Sequence, residues 1–238
     1  MPGVNAQQYK TTPKSPTGLF VSISWFQSIV DSVLDLVFPP RCAGCGRVDA
    51  QWCEYCQSDL AKIPLNIQYR DIPGVIMIAA TGFHEAKLRD ADVALKYSNT
   101  TLLHIPLSNR LIEALQVLSW NIDLVIPVPM HKSRLIERGY NQAQLLAEPV
   151  AEALNLDFRP DAITRRRATT SQVGLTSQER KENVSGAFLA NETLLQNKSI
   201  LLIDDVLTTG STLAACASAA LTAGARVVYG LTVTVARP

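Results

Sequence analysis

Apolar positions along this chain fall into two rhythms, and each change of rhythm marks an element. Phe20, Ile23, Phe26, Val30, Val33, Leu34 and Val37 recur at helical spacing, which predicts an amphipathic helix within residues 18–39. Asp31 and Asp35 interrupt that stretch, so it falls short of the ~20 uncharged residues of a membrane span. Residues 75–83 read as an apolar strand, 87–97 and 102–119 as helices, and 123–126 as a short strand stopped by Pro127 and Pro129. Residues 141–154 read as a helix that Pro149 splits or bends. Between 155 and 199 there is little regular pattern. Then residues 199–203 predict a strand, 213–223 a helix closed by Gly224, and 226–235 a final strand. Strands alternating with helices imply an α/β fold with a mainly parallel sheet.

The chain has 238 residues, 47% of them hydrophobic and 18% charged. That is enough for one core and a small appendage. A net charge of +1 provides no global field for nucleic acid and leaves only local patches. The first fifteen residues are polar and Pro-rich, without the apolar stretch of a secretory signal, so a cytoplasmic location is expected. The expected organisation is a flexible tail over residues 1–17, the amphipathic helix with a cysteine module over 18–62, and an α/β domain over 63–238.

Four of the five cysteines, Cys42, Cys45, Cys53 and Cys56, form C-x2-C-x7-C-x2-C. Each pair lets one tight turn point two thiolates at one ion, and two such turns complete a four-thiolate site suited to structural zinc. An iron–sulfur cluster or a redox role is the alternative. Cys216 lies in the Ala-rich helix and reads as a small buried residue.

The densest chemical signal lies in residues 203–212, I-D-D-V-L-T-T-G-S-T. An apolar strand ends in Asp204 and Asp205, and a Thr/Gly/Ser turn leads into a helix. Backbone N–H groups and the helix dipole at such a turn favour a phosphate. Two carboxylates beside a phosphate suit a ligand carrying a diol a few ångströms away, as ribose 5-phosphate does. No lysine follows Gly210, which excludes a Walker A loop, and a single glycine excludes a dinucleotide turn. Two basic clusters accompany it. One is His131, Lys132, Arg134 and Arg138 after the 123–126 strand, and the other is Arg165, Arg166 and Arg167 with Arg180. Each on its own reads equally as a solvated charge run.

In order, the paired cysteine turns are followed by residues 127–142 (P-V-P-M-H-K-S-R-L-I-E-R-G-Y-N-Q), 165–188 (R-R-R-A-T-T-S-Q-V-G-L-T-S-Q-E-R-K-E-N-V-S-G-A-F) and the 203–212 segment. Together they resemble the ComF family, competence-associated proteins built like type I phosphoribosyltransferases. The resemblance spans roughly residues 36–236. It implies a ligand such as 5-phosphoribosyl 1-pyrophosphate (PRPP), with Mg²⁺ accompanying it and a link to DNA uptake. Asp204 and Asp205 would take the ribose hydroxyls, directly or through Mg²⁺. Val206, Leu207, Thr208, Thr209, Gly210, Ser211 and Thr212 would form the phosphate loop. Lys132 and Arg134 would face pyrophosphate, Lys96 less directly so, and 165–188 would be a mobile hood bringing in Arg167 or Arg180. No acceptor pocket is legible. A non-catalytic role toward single-stranded DNA or a competence protein is the other reading, although Tyr97, Tyr140 and Phe188 alone make a thin stacking platform.

Overall fold

Continuous apolar strands need cover on both faces, and the architecture supplies it. The structure, a computed structural model, describes residues 39–48, 50–97, 100–166 and 186–237. The predicted tail, the amphipathic helix, Arg167 and Arg180 lie outside the described residues. The chain divides between Pro40 and Arg41, and everything below concerns the second unit, which holds the cysteine module together with the α/β core.

Helix α1 (Glu54–Ala61) closes the cysteine module. Strands β1 (Gln68–Ile72) and β2 (Val75–Ala80) follow as an antiparallel pair. Next come α2 (Ala86–Tyr97), a 3₁₀ turn (Thr101–Leu103), α3 (His104–Leu118) and β3 (Leu124–Pro127). The short helix α4 (Lys132–Arg138) precedes α5 (Gln142–Leu154) and β4 (Asp157–Phe158). Strands β5 (Ile163–Arg165) and β6 (Phe188–Ala190) pair with each other. The chain ends with α6 (Glu192–Leu195), β7 (Ser199–Leu207), α7 (Ser211–Thr222) and β8 (Val227–Val235).

The main sheet runs β1-β2-β8-β7-β3-β4, parallel throughout except for the β1 edge. Strand alternation divides the core along β7. Ile200 and Leu202 pack with Leu213, Cys216 and Ala220 of α7, whereas Leu201 and Ile203 pack with Leu88 and Leu95 of α2, Leu107 and Leu111 of α3, and Leu146 of α5. This two-sided burial is why the run reads as uniformly apolar.

Three departures from the sequence reading have simple causes. Strand β7 continues through the acid pair to Leu207, because Val206 and Leu207 pair with Thr234 and Val235 of β8. Pro149 sits inside one helix instead of splitting it. Its missing N–H leaves a carbonyl short in the preceding turn, and the Ser108 hydroxyl of α3 donates to the neighbouring Leu146 carbonyl at 3.0 Å. Residues 131–138, given no element in the sequence reading, contain α4, started by the His131 ring accepting from the Ser133 N–H and closed by Gly139 at φ 83°.

Candidate functional site

Strand β3 ends at Pro127, opposite Ile203 of its parallel neighbour β7, so the chain leading into α4 and the acid pair that follows Ile203 lie at one sheet edge. Thr208, Thr209 and Gly210 form the turn from β7 into α7. Gly210 is the N-cap of that helix at φ 73°, and a Cβ there would lie 2.2 Å from Ile72 Cδ1. Only glycine fits both constraints. A glycine cap has no side chain to occupy the first-turn N–H groups at the positive end of this 12-residue helix. Thr208 and Thr209 are exposed, and Thr209 Oγ1 lies 3.1 Å from Ser211 Oγ. Val206 and Leu207 belong to the strand, with Leu207 buried. Thr212 sits half-buried in the first turn of α7. A cleft of about 670 Å³ borders this turn, lined by Ile72, Phe188, Thr209, Gly210, Ser211 and Ala214. Neither aspartate lines it.

Adjacent positions on a strand point to opposite faces, so the two acids part company. Asp204 is half-buried on the α7 side, within electrostatic reach of Cys216 and of Arg165. Burial first, and then the charge of Asp205, push its carboxyl well above the usual range. Its Oδ1 accepts the Asp205 N–H at 3.0 Å. Asp205 is 5% exposed and turns toward α2. Its Oδ1 accepts the Val206 N–H at 2.6 Å, and its Oδ2 lies 3.2 Å from Lys96 Nζ.

Lys96 also lies 2.8 Å from Asp92 Oδ2, one helical turn earlier on α2. Burial opposes its charge, but Asp205 and Asp92 outweigh burial and hold the amine above the ordinary lysine value. Burial and the neighbouring Asp205 push Asp92 up to about 6, against the pull of Lys96. His84 completes the group, 3.8 Å from Asp92 and 2.9 Å from the Thr234 hydroxyl. Burial, Lys96 and Arg89 keep its imidazole below the ordinary value. The sequence reading put Lys96 beside pyrophosphate and missed Asp92 and His84. The i,i+4 pairing of Asp92 with Lys96 was the only sequence signal available.

The predicted cations distribute unevenly. Lys132 and Arg134 are exposed on α4, a helix with no buried residue. Arg138 lies over the Tyr97 ring at 5.2 Å. Arg167 and Arg180 are outside the described residues, but Arg165 packs over Phe188 at 5.3 Å. Burial lowers its pKa; Cys216 and Asp204 oppose that shift and Arg134 adds to it. Of the two described members of the arginine triplet, Arg165 is the one within electrostatic reach of Asp204.

The cysteine module is a second centre. Its four sulfurs lie within 4.8 Å of one another, with Cys42–Cys56 at 3.7 Å and Cys45–Cys53 at 3.6 Å. Four thiolates around zinc at 2.3 Å would stand about 3.8 Å apart, so the donor set fits the ion. Burial resists ionisation of Cys42, but N–H groups of Cys53, Gly44 and Cys45 outweigh it and bring the thiol down to about 6. Cys56 is pushed up to about 12 by burial and its sister thiols. Without a cation the four cannot all ionise, and a divalent ion removes that conflict. A Cβ on Gly44 would meet Cys56 Sγ at 2.9 Å, so the first turn needs glycine for the sulfurs to converge. Lys87 of α2 donates to the Gly44 carbonyl and feels the Cys56 charge, which ties the module to the core.

Residues 33–67 match the double zinc ribbon domain family, and residues 141–238 match the phosphoribosyl transferase domain family. With five cysteines in the chain, the ribbon match corresponds to a single four-cysteine site here. DNA utilization protein YhgH of Escherichia coli strain K12 is 36% identical over 146 residues, covering 61% of this chain and 62% of the relative's length. Competence protein F of Haemophilus influenzae is 36% identical over 93 residues, covering 38% of this chain and 41% of its own. Among solved structures, an adenine phosphoribosyltransferase aligns over 75% of this chain and 88% of its own at 14% identity, with a TM-score of 0.40. No helix among the described residues is long and apolar enough to cross a membrane. The chain is thus a homologue of DNA utilization protein YhgH and competence protein F, spanning less than two thirds of the length of either, with a double zinc ribbon match ahead of a phosphoribosyl transferase domain match.

Proposed function

We propose that this protein binds PRPP or a related ribose phosphate at the sheet edge formed by β3 and β7, and transfers the phosphoribosyl group to a nitrogen nucleophile in a process linked to DNA uptake. The observation that carries the reading is the convergence of the acid pair, the glycine-capped N-terminus of α7 and the cations of α4 and Arg165 at that edge. The turn N–H groups and the Thr208 and Thr209 hydroxyls hold the 5-phosphate. The acid pair supplies the carboxylate side of the ribose site. Lys132, Arg134 and Arg165 lower the energy of the charge that grows on pyrophosphate as the C1–O bond breaks and the C1–N bond forms. Mg²⁺, arriving with PRPP, would add charge neutralisation at the leaving group. Zinc in the cysteine module has no open position and serves folding.

A second reading has its own support. The exposed Lys132 and Arg134, with Tyr97 75% exposed beneath Arg138, form a basic surface with one aromatic, which suits single-stranded DNA. Incubation with Mg²⁺, PRPP and a panel of nitrogenous bases, with release of pyrophosphate as the readout, separates the two. Base-dependent release establishes the enzyme. Oligonucleotide binding with a salt slope near 0.7 per phosphate contact, and no release, establishes the binding module.

A further inference from the structure

Asp204 and Asp205 are neighbours in sequence with the same chemistry, yet they stand in different surroundings. Both oxygens of Asp205 are engaged away from solvent. Oδ1 takes the Val206 N–H, and Oδ2 is buried 3.2 Å from the Lys96 ammonium without the alignment of a hydrogen bond. Lys96 is held by Asp92, which is fully buried and whose Oδ1 has no hydrogen-bond partner among the described residues. A buried carboxylate that keeps one empty lone-pair set is retained for its charge, because an apolar side chain would fill the space at lower cost. Asp204 is the more open of the two, and its Oδ1 is oriented by the Asp205 N–H at 3.0 Å.

We propose that Lys96, fixed by Asp92, is the positioning residue of the acid pair: it anchors Asp205 on the α2 face so that Asp204 alone is presented to the sugar hydroxyls. The division follows from strand alternation. Lys96 reaches β7 from the α2 layer, and its pull sets the Asp205 backbone whose N–H orients Asp204. Asp92 and Asp205 flank the Lys96 ammonium, His84 stands 3.8 Å from Asp92 and is held by Thr234 of β8, and the charges of Arg138 and Arg89 reach Asp92 and His84. Removing the ammonium leaves two buried carboxylates facing each other, and the site then loses its geometry before it loses its fold.

The inference rests on the ribose-phosphate reading, so its test has one arm that needs no sugar. In the ligand-free protein, thermal melts are measured for Lys96→Met, Asp205→Asn and the double variant. Each single change is expected to lower Tm on the order of 10 °C, with the double variant close to either single, since both remove the same pair. Additive losses overturn the anchor. If Lys96→Met does not fold, Lys96→Gln, which removes the charge and keeps a donor, takes its place. In the second arm, calorimetry compares ribose 5-phosphate with inorganic phosphate. Asp204→Asn is expected to weaken ribose 5-phosphate about 10-fold or more and to leave phosphate within about 2-fold, the range for losing one charged hydrogen bond. Lys96→Met is expected to shift the same ratio in the same direction, Lys96→Arg to restore it, and Lys96→Met on top of Asp204→Asn to add nothing. Equal losses for both ligands, or an effect of Lys96→Met that persists in full without Asp204, overturn the division of roles. A wild type that binds phosphate but not ribose 5-phosphate overturns the proposed function instead, and the melts still decide the anchor.

Discussion

The cysteine module and the acid pair solve one problem in two ways. Each gathers acidic groups closer than they tolerate alone. The module assembles four thiols from a single stretch of chain, and balancing their charge falls to an ion from outside. The acid pair draws its countercharge from within, through Lys96 on a helix more than a hundred positions upstream of β7. A local site can borrow its cation because its geometry is set by two tight turns. A dispersed site cannot wait for one, because the same charge holds the strand against the helix. The module should therefore fail all at once without metal, and the acid site should fail by degrees.

The largest expected effect tests the first half of that contrast. Cys53→Ser should lower zinc from close to one per chain to a small fraction, and residues 41–62 should lose protection from hydrogen exchange while β7 and β8 keep theirs. The folding energy at stake is that of a structural zinc, about 10–16 kcal/mol. Metal analysis and exchange mass spectrometry check both points, and a variant that unfolds throughout would remove the distinction between the sites.

Next in size is the turn of the acid site. Gly210→Ala places a Cβ 2.2 Å from Ile72 Cδ1 at a φ of 73°, and the left-handed backbone and the overpacking together should cost roughly 2–5 kcal/mol. Adding Ile72→Ala should relieve the clash and leave the backbone cost, which denaturant titration of the pair would resolve.

Asp92 gives a pH test of comparable size. Its folded value of about 6 stands above the ordinary 3.8, so between those values the folded state holds the proton more tightly than the unfolded state. Stability from this group is present below pH 4 and is lost as pH rises toward 6, on the order of 3 kcal/mol. Asp92→Asn should flatten that segment of the stability profile measured on zinc-loaded protein. An unchanged profile would mean that the acid cluster does not carry its strain at Asp92.

The smallest effect probes the link between the two regions. Lys87→Met removes the bond to the Gly44 carbonyl and should cost about 1.5 kcal/mol. It should speed zinc loss to a chelator without changing ribose 5-phosphate affinity. A matching loss of ligand affinity would show that α2, which carries Lys87 at one end and Lys96 at the other, couples the centres.

Much of this was legible from residues alone. The C-x2-C spacing fixed the thiol cluster because each pair of sulfurs converges within one turn. The apolar runs gave β2, β7 and β8, since strands covered on both faces show no polar alternation. What escaped notice was marginal in pattern. Strand β1 alternates half-buried and exposed residues at a sheet edge, α4 buries nothing, and β4, β5 and β6 are two or three residues long. Pro149 splits nothing, since α5 runs through it from Gln142 to Leu154.

The sequence by itself determined the long apolar strands, the main helices, the four-sulfur centre and the presence of an acid pair before a Thr/Gly/Ser turn and a helix, because each is set by spacing along a few consecutive residues. Only the tertiary structure decided which face of β7 each aspartate takes, that Lys96 and Asp92 stand behind Asp205, and that Arg165 comes within electrostatic reach of Asp204. Those contacts join positions far apart in the chain. Charge acts through space across a low-dielectric core, and no local pattern records which distant helix will carry the opposite sign.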